Sequence, residues 1–232
     1  FADILPMIPV SRMFGRLGRV LAWIQLLWIL PAGAQWITQT NQLKGGWNAV
    51  YLHVDASHAA ISDVMASATS IEEVWMWMPA STQQFIDSPQ TPSATSSQWS
   101  RWTRSLGASS PLQRLIPNAA YYVKVTDSLP TYSWALKGRP VAPQYVWTSS
   151  GLNFIGFPTP SSPVGYERFL QPVPSLLDVS EIYRSSGGSF GAANPVRVFD
   201  LARTTMNRGD AVWMRVSSGY NRYFGPFEVS LP

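Results

Sequence analysis

The chain has 232 residues, 46% hydrophobic and only 13% charged, the opposite of the balance that keeps a polypeptide disordered. Its formal charge of +4 shrinks once Arg12, Arg16, Arg19 and Asp3 near the N-terminus are set aside, leaving 14 basic against 12 acidic residues. No basic run remains to displace counterions from nucleic acid. The lack of cysteine excludes a disulfide scaffold, a thiolate zinc site and a cysteine nucleophile. Stability then falls to a core that 11 Trp, 9 Tyr and 10 Phe can fill.

In chain order, the first element is a leader. Met13 opens the segment MFGRLGRVLAWIQLLWILPAGAQ, in which Arg16 and Arg19 form a basic region and Val20 to Leu30 an apolar run broken only by Gln25. Pro31 ends the run, and Ala32-Gly33-Ala34 supplies the small residues that a signal peptidase requires. The pattern predicts a secretory signal-peptide helix within a leader at 1–34, cleaved between Ala34 and Gln35. Residues 1–12 read as sequence upstream of a start at Met13, or as a longer basic region starting at Met7. The apolar run falls short of the roughly 20 residues needed to span a bilayer. The expected product is secreted or held at the cell surface, with no membrane span after signal removal.

The body reads as a repeat. GGWNAVYLHVD (45–55) and SGLNFIGFPTP (150–160) match as Gly46 with Gly151, Asn48 with Asn153, Val50 with Ile155 and Leu52 with Phe157. Both alternate apolar and other residues after a Gly-x-Asn turn, the period of a strand. Glu73-Val74-Trp75 is echoed by Glu181-Ile182-Tyr183, and Ala120 to Val125 by Ala211 to Val216. A short strand follows each, Trp134-Ala135-Leu136 and Phe227-Glu228-Val229. In the connector of the first unit, Ile61, Val64, Met65 and Ala68 have helical spacing, with Asp55 or Ser57 in place to cap it. The stretch Ser88 to Ser97 is polar and Pro/Ser-rich, a solvated excursion. The fold class is therefore all-β, mainly antiparallel and sandwich-like, with at most one or two short helices. It is expected to be built from two similar units, 36–140 and 141–232, the second read as cut short at its C-terminus. Two small domains and one joint sandwich both fit this pattern.

The blocks GWNAVYLHVD, EEVWMWMP, QWSRWTR, LIPNAAYYVKV and GLNFIGFPT resemble a repeated, uncharacterised β-rich module of large secreted bacterial surface proteins. That module reads G-W-N…P, then V-W-x-W, then Y-W-V-K-V. The resemblance covers nearly all of 43–232 and implies location and architecture. It carries no catalytic residues. Asn118-Ala119-Ala120 stands where the module has Gly-x-Gly, and Leu152 where it has a second Trp.

Chemistry is sparse. His53 and His58 are the only histidines, no HExxH or similar spacing pairs them with a third metal ligand, and both read as surface residues near a loop. A glycosidase needs two facing carboxylates, for which Asp55, Asp63, Glu72, Glu73, Asp87 and Asp127 are available. Glu73 and Glu181 hold equivalent positions just before a strand, which reads as structural. G-x-S-x-G is absent, and Ser186-Gly187-Gly188-Ser189 lacks a phosphate-loop lysine and reads as a hairpin loop. Arg208-Gly209-Asp210 spells a tripeptide that some adhesion receptors bind. Gly209, however, aligns with Asn118, and both residue types tolerate the left-handed backbone of a tight turn.

Aromatic residues have the widest functional reach, because exposed rings stack on sugars. Trp75, Trp77 and Tyr122 read as core, whereas Trp99 and Trp102, flanked by Arg101 and Arg104, form the candidate ligand-binding segment. The expected function is a non-catalytic, exported β-module with a structural or adhesive role, part of a larger surface or secreted protein. No cofactor is expected, and the partners would be glycans or other surface proteins rather than nucleic acid. A carbohydrate-binding module is the alternative, and a secreted glycan-active enzyme the third reading.

Overall fold

The computed structural model describes residues 35–78, 86–144, 151–157, 164–170, 181–191 and 194–215. The leader through Ala34 and the strand expected at Phe227-Glu228-Val229 lie outside the described residues. The chain runs β1 (Ile37–Leu43), β2 (Gly46–Leu52), β3 (Val54–Asp55), α1 (Ile61–Val64), β4 (Ile71–Trp77), β5 (Trp99–Thr103), a 3-10 turn (Gly107–Ser109), β6 (Ala119–Val125) and β7 (Tyr132–Pro140). It continues through β8 (Leu152–Gly156), β9 (Val164–Gly165), α2 (Tyr166–Leu170), β10 (Glu181–Arg184), β11 (Val196–Arg197), β12 (Thr205–Met206) and β13 (Ala211–Arg215). The fold is all-β, mainly antiparallel and sandwich-like, with two short helices. No helix among the described residues is long and apolar enough to cross a membrane.

The helix expected from Ile61, Val64, Met65 and Ala68 is a single turn. Its N-cap is Ala60, with no side-chain cap. Asp55 instead accepts the Ser57 backbone N–H at 2.9 Å, closing a turn before the helix begins. Ile61, Met65 and Ala68 are nonetheless buried on one side, as their spacing requires. The Pro/Ser-rich stretch at 88–97 is free of strand and helix, and each of its residues is exposed or half-exposed.

Two four-stranded sheets dominate, with strand orders β2-β6-β4-β5 and β8-β13-β10-β11. Residues matched in the sequence occupy the same ladder positions in the two sheets. Asn48 lies opposite Val123 and Asn153 opposite Met214. Glu73 faces Lys124 as Glu181 faces Arg215, and Trp75 faces Tyr122 as Tyr183 faces Trp213. Side-chain bonds follow the same pattern. Asn48 Nδ2 donates to the Gly46 carbonyl (3.0 Å) and Asn153 Nδ2 to that of Gly151 (3.3 Å). Lys124 Nζ lies 3.7 Å from Glu73, and Arg215 Nε 2.9 Å from Glu181. The turns entering β6 and β13 are both left-handed, with φ of 55° at Asn118 and 86° at Gly209.

A third sheet, β1-β7-β3, takes β1 from before β2, β3 from between β2 and β4, and β7 from after β6. The β2-β6-β4-β5 sheet is therefore buried on both faces. On one side Val50, Leu52, Val74, Trp102, Tyr121, Val123 and Val125 pack with Leu43, Trp134, Leu136 and the α1 residues. On the other, Tyr51, Trp75, Trp77, Trp99 and Tyr122 pack with Phe154, Trp213 and the rest of the second sheet. This accounts for the near-continuous apolar run of β6, since a strand covered on both faces loses its polar alternation. The described residues from Trp36 onward form one compact unit.

The interface between the two large sheets is aromatic. Trp213 lies edge-on to Trp77 (5.0 Å between ring centroids) and stacks on Phe154 (4.8 Å), which stacks on Tyr122 (4.7 Å). Trp213 Nε1 donates to Tyr122 Oη at 3.1 Å, so residues at matched positions of the two sheets touch each other. The outer edge of β2 is also covered. The Trp47 N–H donates to the Gly188 carbonyl (2.8 Å) and the Tyr51 N–H to that of Gly209 (2.7 Å). Two glycine loops thus cap an edge that would otherwise invite pairing with another chain.

Candidate functional site

The residues expected to bind a ligand lie on or next to β5, but they do not form one surface. Trp99 and Trp102 are three apart in a strand and so point to opposite faces. Trp99 enters the aromatic interface against Trp77 (4.9 Å), and Trp102 enters the other core. They are 8% and 2% exposed, so neither presents a flat face to a sugar ring. Trp102 Nε1 donates to Ser62 Oγ at 3.1 Å. Arg101 sits 5.2 Å above the Trp75 ring. Arg104 donates from Nε to the Ile71 carbonyl (2.9 Å) and from Nη2 to those of Ala68 (2.7 Å) and Met65 (3.3 Å). It acts as a clamp on the α1–β4 turn.

Polar groups converge elsewhere, at the seam where the β1–β2 turn meets the β10 end and the turn before β13. A cleft of about 460 Å³ opens there, lined by Asn41, Lys44, Arg184, Ser186, Arg208 and Asp210 among others. Asp210 Oδ2 accepts from Arg184 Nη2 (3.3 Å) and Asn207 Nδ2 (2.9 Å). Burial raises its carboxyl above the ordinary range, while the Arg184 cation and these hydrogen bonds pull the other way. Arg208-Gly209-Asp210 is thus folded into the seam as a turn, with its carboxylate paired inward. Lys44 Nζ donates to the Ser186 carbonyl at 2.9 Å. Asn194, 6% exposed, stitches the Gly187-Gly188 loop by bonding Ser186 N (3.0 Å) and the Ser189 carbonyl (3.0 Å).

Two buried amides on β1 support the cleft wall. Gln39 Nε2 donates to the Tyr51 carbonyl (2.7 Å) and to Asn41 Oδ1 (3.0 Å), and its Oε1 accepts the His53 N–H (3.0 Å). The Gln39 bond fixes the Asn41 amide with its oxygen occupied. Asn41, 6% exposed, keeps an amide nitrogen with no protein acceptor. Gly209 must be glycine here, because a Cβ would come within 2.6 Å of Asn41 Oδ1 at a φ of +86°.

His53 and His58, expected together at the surface, part company. His58 is exposed and meets Trp36 edge-on at 4.6 Å. His53 is half-buried beside a smaller cavity shared with Thr38, Gln39, Thr40 and Arg208. Desolvation and the Arg208 cation lower its pKa from 6.5 to about 4. The unfolded imidazole then takes up its proton near pH 6.5 while the folded one resists until about pH 4. Stability from this group is therefore full above pH 6.5 and lost as pH falls through that window, by on the order of 2 kcal/mol. Urea midpoints at pH 7 and pH 4.5 should show this loss in the parent protein and a smaller one in His53→Gln. That comparison separates it from Asp210, whose raised carboxyl contributes with the opposite sign.

Glu72, Glu73, Asp87 and Glu181 are paired with cations. Glu72 and Glu73 share Lys124, while Glu181 holds Arg215 and Arg197, and Asp87 also meets Arg215 (3.6 Å). No group of three His, Cys, Asp or Glu able to hold a metal ion is found among the described residues. Sequence reading did not single out Asn41, Lys44 or Arg184. Its nearest signals were the Gly187-Gly188 pair and the Arg208-Gly209-Asp210 turn, which now frame the cleft. Comparison with family models, curated proteins and solved structures finds no match to this chain. Fold and site define an all-β sandwich-like protein with a polar cleft at the seam of two similarly ordered sheets.

Proposed function

We propose that this chain is an exported, non-catalytic β-module with a structural or adhesive role in a larger surface or secreted protein, built by internal duplication of one β-unit. The observation that carries this reading is the matched Glu–cation pair on each sheet, Glu73 with Lys124 and Glu181 with Arg215. A carboxylate held by a cross-strand cation in both copies serves the ladder, since a general acid needs a carboxyl freed to carry a proton. The aromatic residues are likewise engaged in holding the two sheets together. The signal-like leader supports export. The resemblance to the repeated module of secreted bacterial proteins supports the surface setting.

The test is an activity screen of purified chain on polysaccharide and glycoside substrates. No turnover is expected. Hydrolysis that disappears on replacing a pair of carboxylates would refute the reading. The carbohydrate-binding alternative draws no support from Trp99 and Trp102, which are buried.

A further inference from the structure

The geometry points to the seam cleft as a binding site for an acidic saccharide, one bearing carboxylates on its rings. The inference deepens the adhesive reading by naming what the module would hold. The cleft volume, about 460 Å³, falls within the roughly 300–1,000 Å³ usual for small-molecule sites. Such sites are mostly apolar, but here Leu43, Ala49 and Val196 are the only hydrophobic side chains among the described lining residues. The ligand it fits is therefore hydrophilic.

The sign of its charge follows from the wall. Among the described lining residues, Lys44, Arg184 and Arg208 supply three cations against the one carboxylate of Asp210. Arg184 is already paired with Asp210, and Lys44 donates one of its three protons to Ser186. Asn41 adds a buried amide nitrogen that has no acceptor among the described residues. A ligand rich in hydroxyl and carboxylate oxygens satisfies such a wall, whereas a dianionic phosphate would crowd the Asp210 charge. No aromatic side chain is found among the described lining residues, which offer no platform for a nucleobase. Its few aliphatic groups suit the C–H face of a pyranose.

The test is calorimetric titration of the purified chain with trimers of galacturonate, glucuronate and mannuronate, and with the matching neutral trisaccharides, in 0.15 M salt. Saturable binding of at least one uronate trimer is expected, with the neutral partner at least tenfold weaker. Lys44→Gln should weaken it at least fivefold, and Ser186→Trp, placed to fill the cleft from its exposed rim, should abolish it, both with unchanged melting temperature. The proposal is overturned if no uronate binds, if neutral and acidic trimers bind alike, if both variants bind as the parent does, or if a triglutamate peptide binds more tightly than any uronate. Reducing ends are assayed in the same samples. Their release would refute the non-catalytic reading while still supporting the site.

Discussion

Trp213→Ala is expected to remove about 3–5 kcal/mol of folding free energy, the range for deleting a large aromatic from a core that cannot collapse around the gap. Trp213 is 1% exposed and sits where the two large sheets meet. It contacts Trp77 and Phe154, and its indole N–H donates to Tyr122 Oη. Removing it opens a void between sheets and leaves the Tyr122 hydroxyl, whose pKa burial has already raised, without its donor. Urea unfolding followed by tryptophan fluorescence checks the magnitude. Tyr122→Phe should cost far less, about 1 kcal/mol, because it deletes the hydrogen bond and keeps the ring. If Trp213→Ala lost under 1 kcal/mol, the aromatic interface would not be what joins the sheets.

Much of the local structure was legible because strand periodicity and turn chemistry are local. Gly-x-Asn at 46–48 and 151–153 announced β2 and β8, and the alignment of Gly209 with Asn118 anticipated two left-handed turns before β6 and β13. The matched glutamates read as structural, and their cross-strand cations are at the matched positions. What periodicity could not convey is which strand faces lie against one another. Trp99 and Trp102 looked like one aromatic segment, but the two-residue repeat of a strand sends them into different cores. The connector helix was read longer than it is because Ile61, Met65 and Ala68 share a buried side whether or not the backbone stays helical past Val64. The cleft was invisible for a stronger reason. Its walls come from positions as distant as Asn41 and Asp210, brought together when N–H groups of the β2 edge donate to the Gly188 and Gly209 carbonyls. The Arg208-Gly209-Asp210 turn was visible, but its Asp lies inward because Arg184, on a separate strand, receives it.

That edge closure sets up the second large effect. Gly156, the last residue of β8, passes so close to β2 that a Cβ would stand 2.2 Å from Tyr51 Cβ and 2.8 Å from the Asp210 carbonyl oxygen. The difficulty is steric, and it is not one of backbone angle, since Gly156 is not among the positive-φ residues. Tyr51 has little room to yield. It is 1% exposed, its N–H is bonded to Gly209, its carbonyl accepts from Gln39, and its hydroxyl donates to Asn118 Oδ1 at 3.0 Å. Gly156→Ala must therefore push β8 away from β2, shifting the Gly209 turn and the cleft wall with it. Overpacking of this kind costs about 1–3 kcal/mol where side chains can adjust, and more where backbone must move. The expected loss is at the top of that range, about 3 kcal/mol. Hydrogen exchange should show faster exchange at the Tyr51 amide, the donor to Gly209, than at the Val123 amide inside the first sheet. Gly191→Ala, where a Cβ meets nothing within 4 Å, is the control and should leave stability within about 0.5 kcal/mol of the parent. Equal stability of Gly156→Ala and Gly191→Ala would mean that the two sheets are not packed at this distance, and the cleft between them would have to be redrawn.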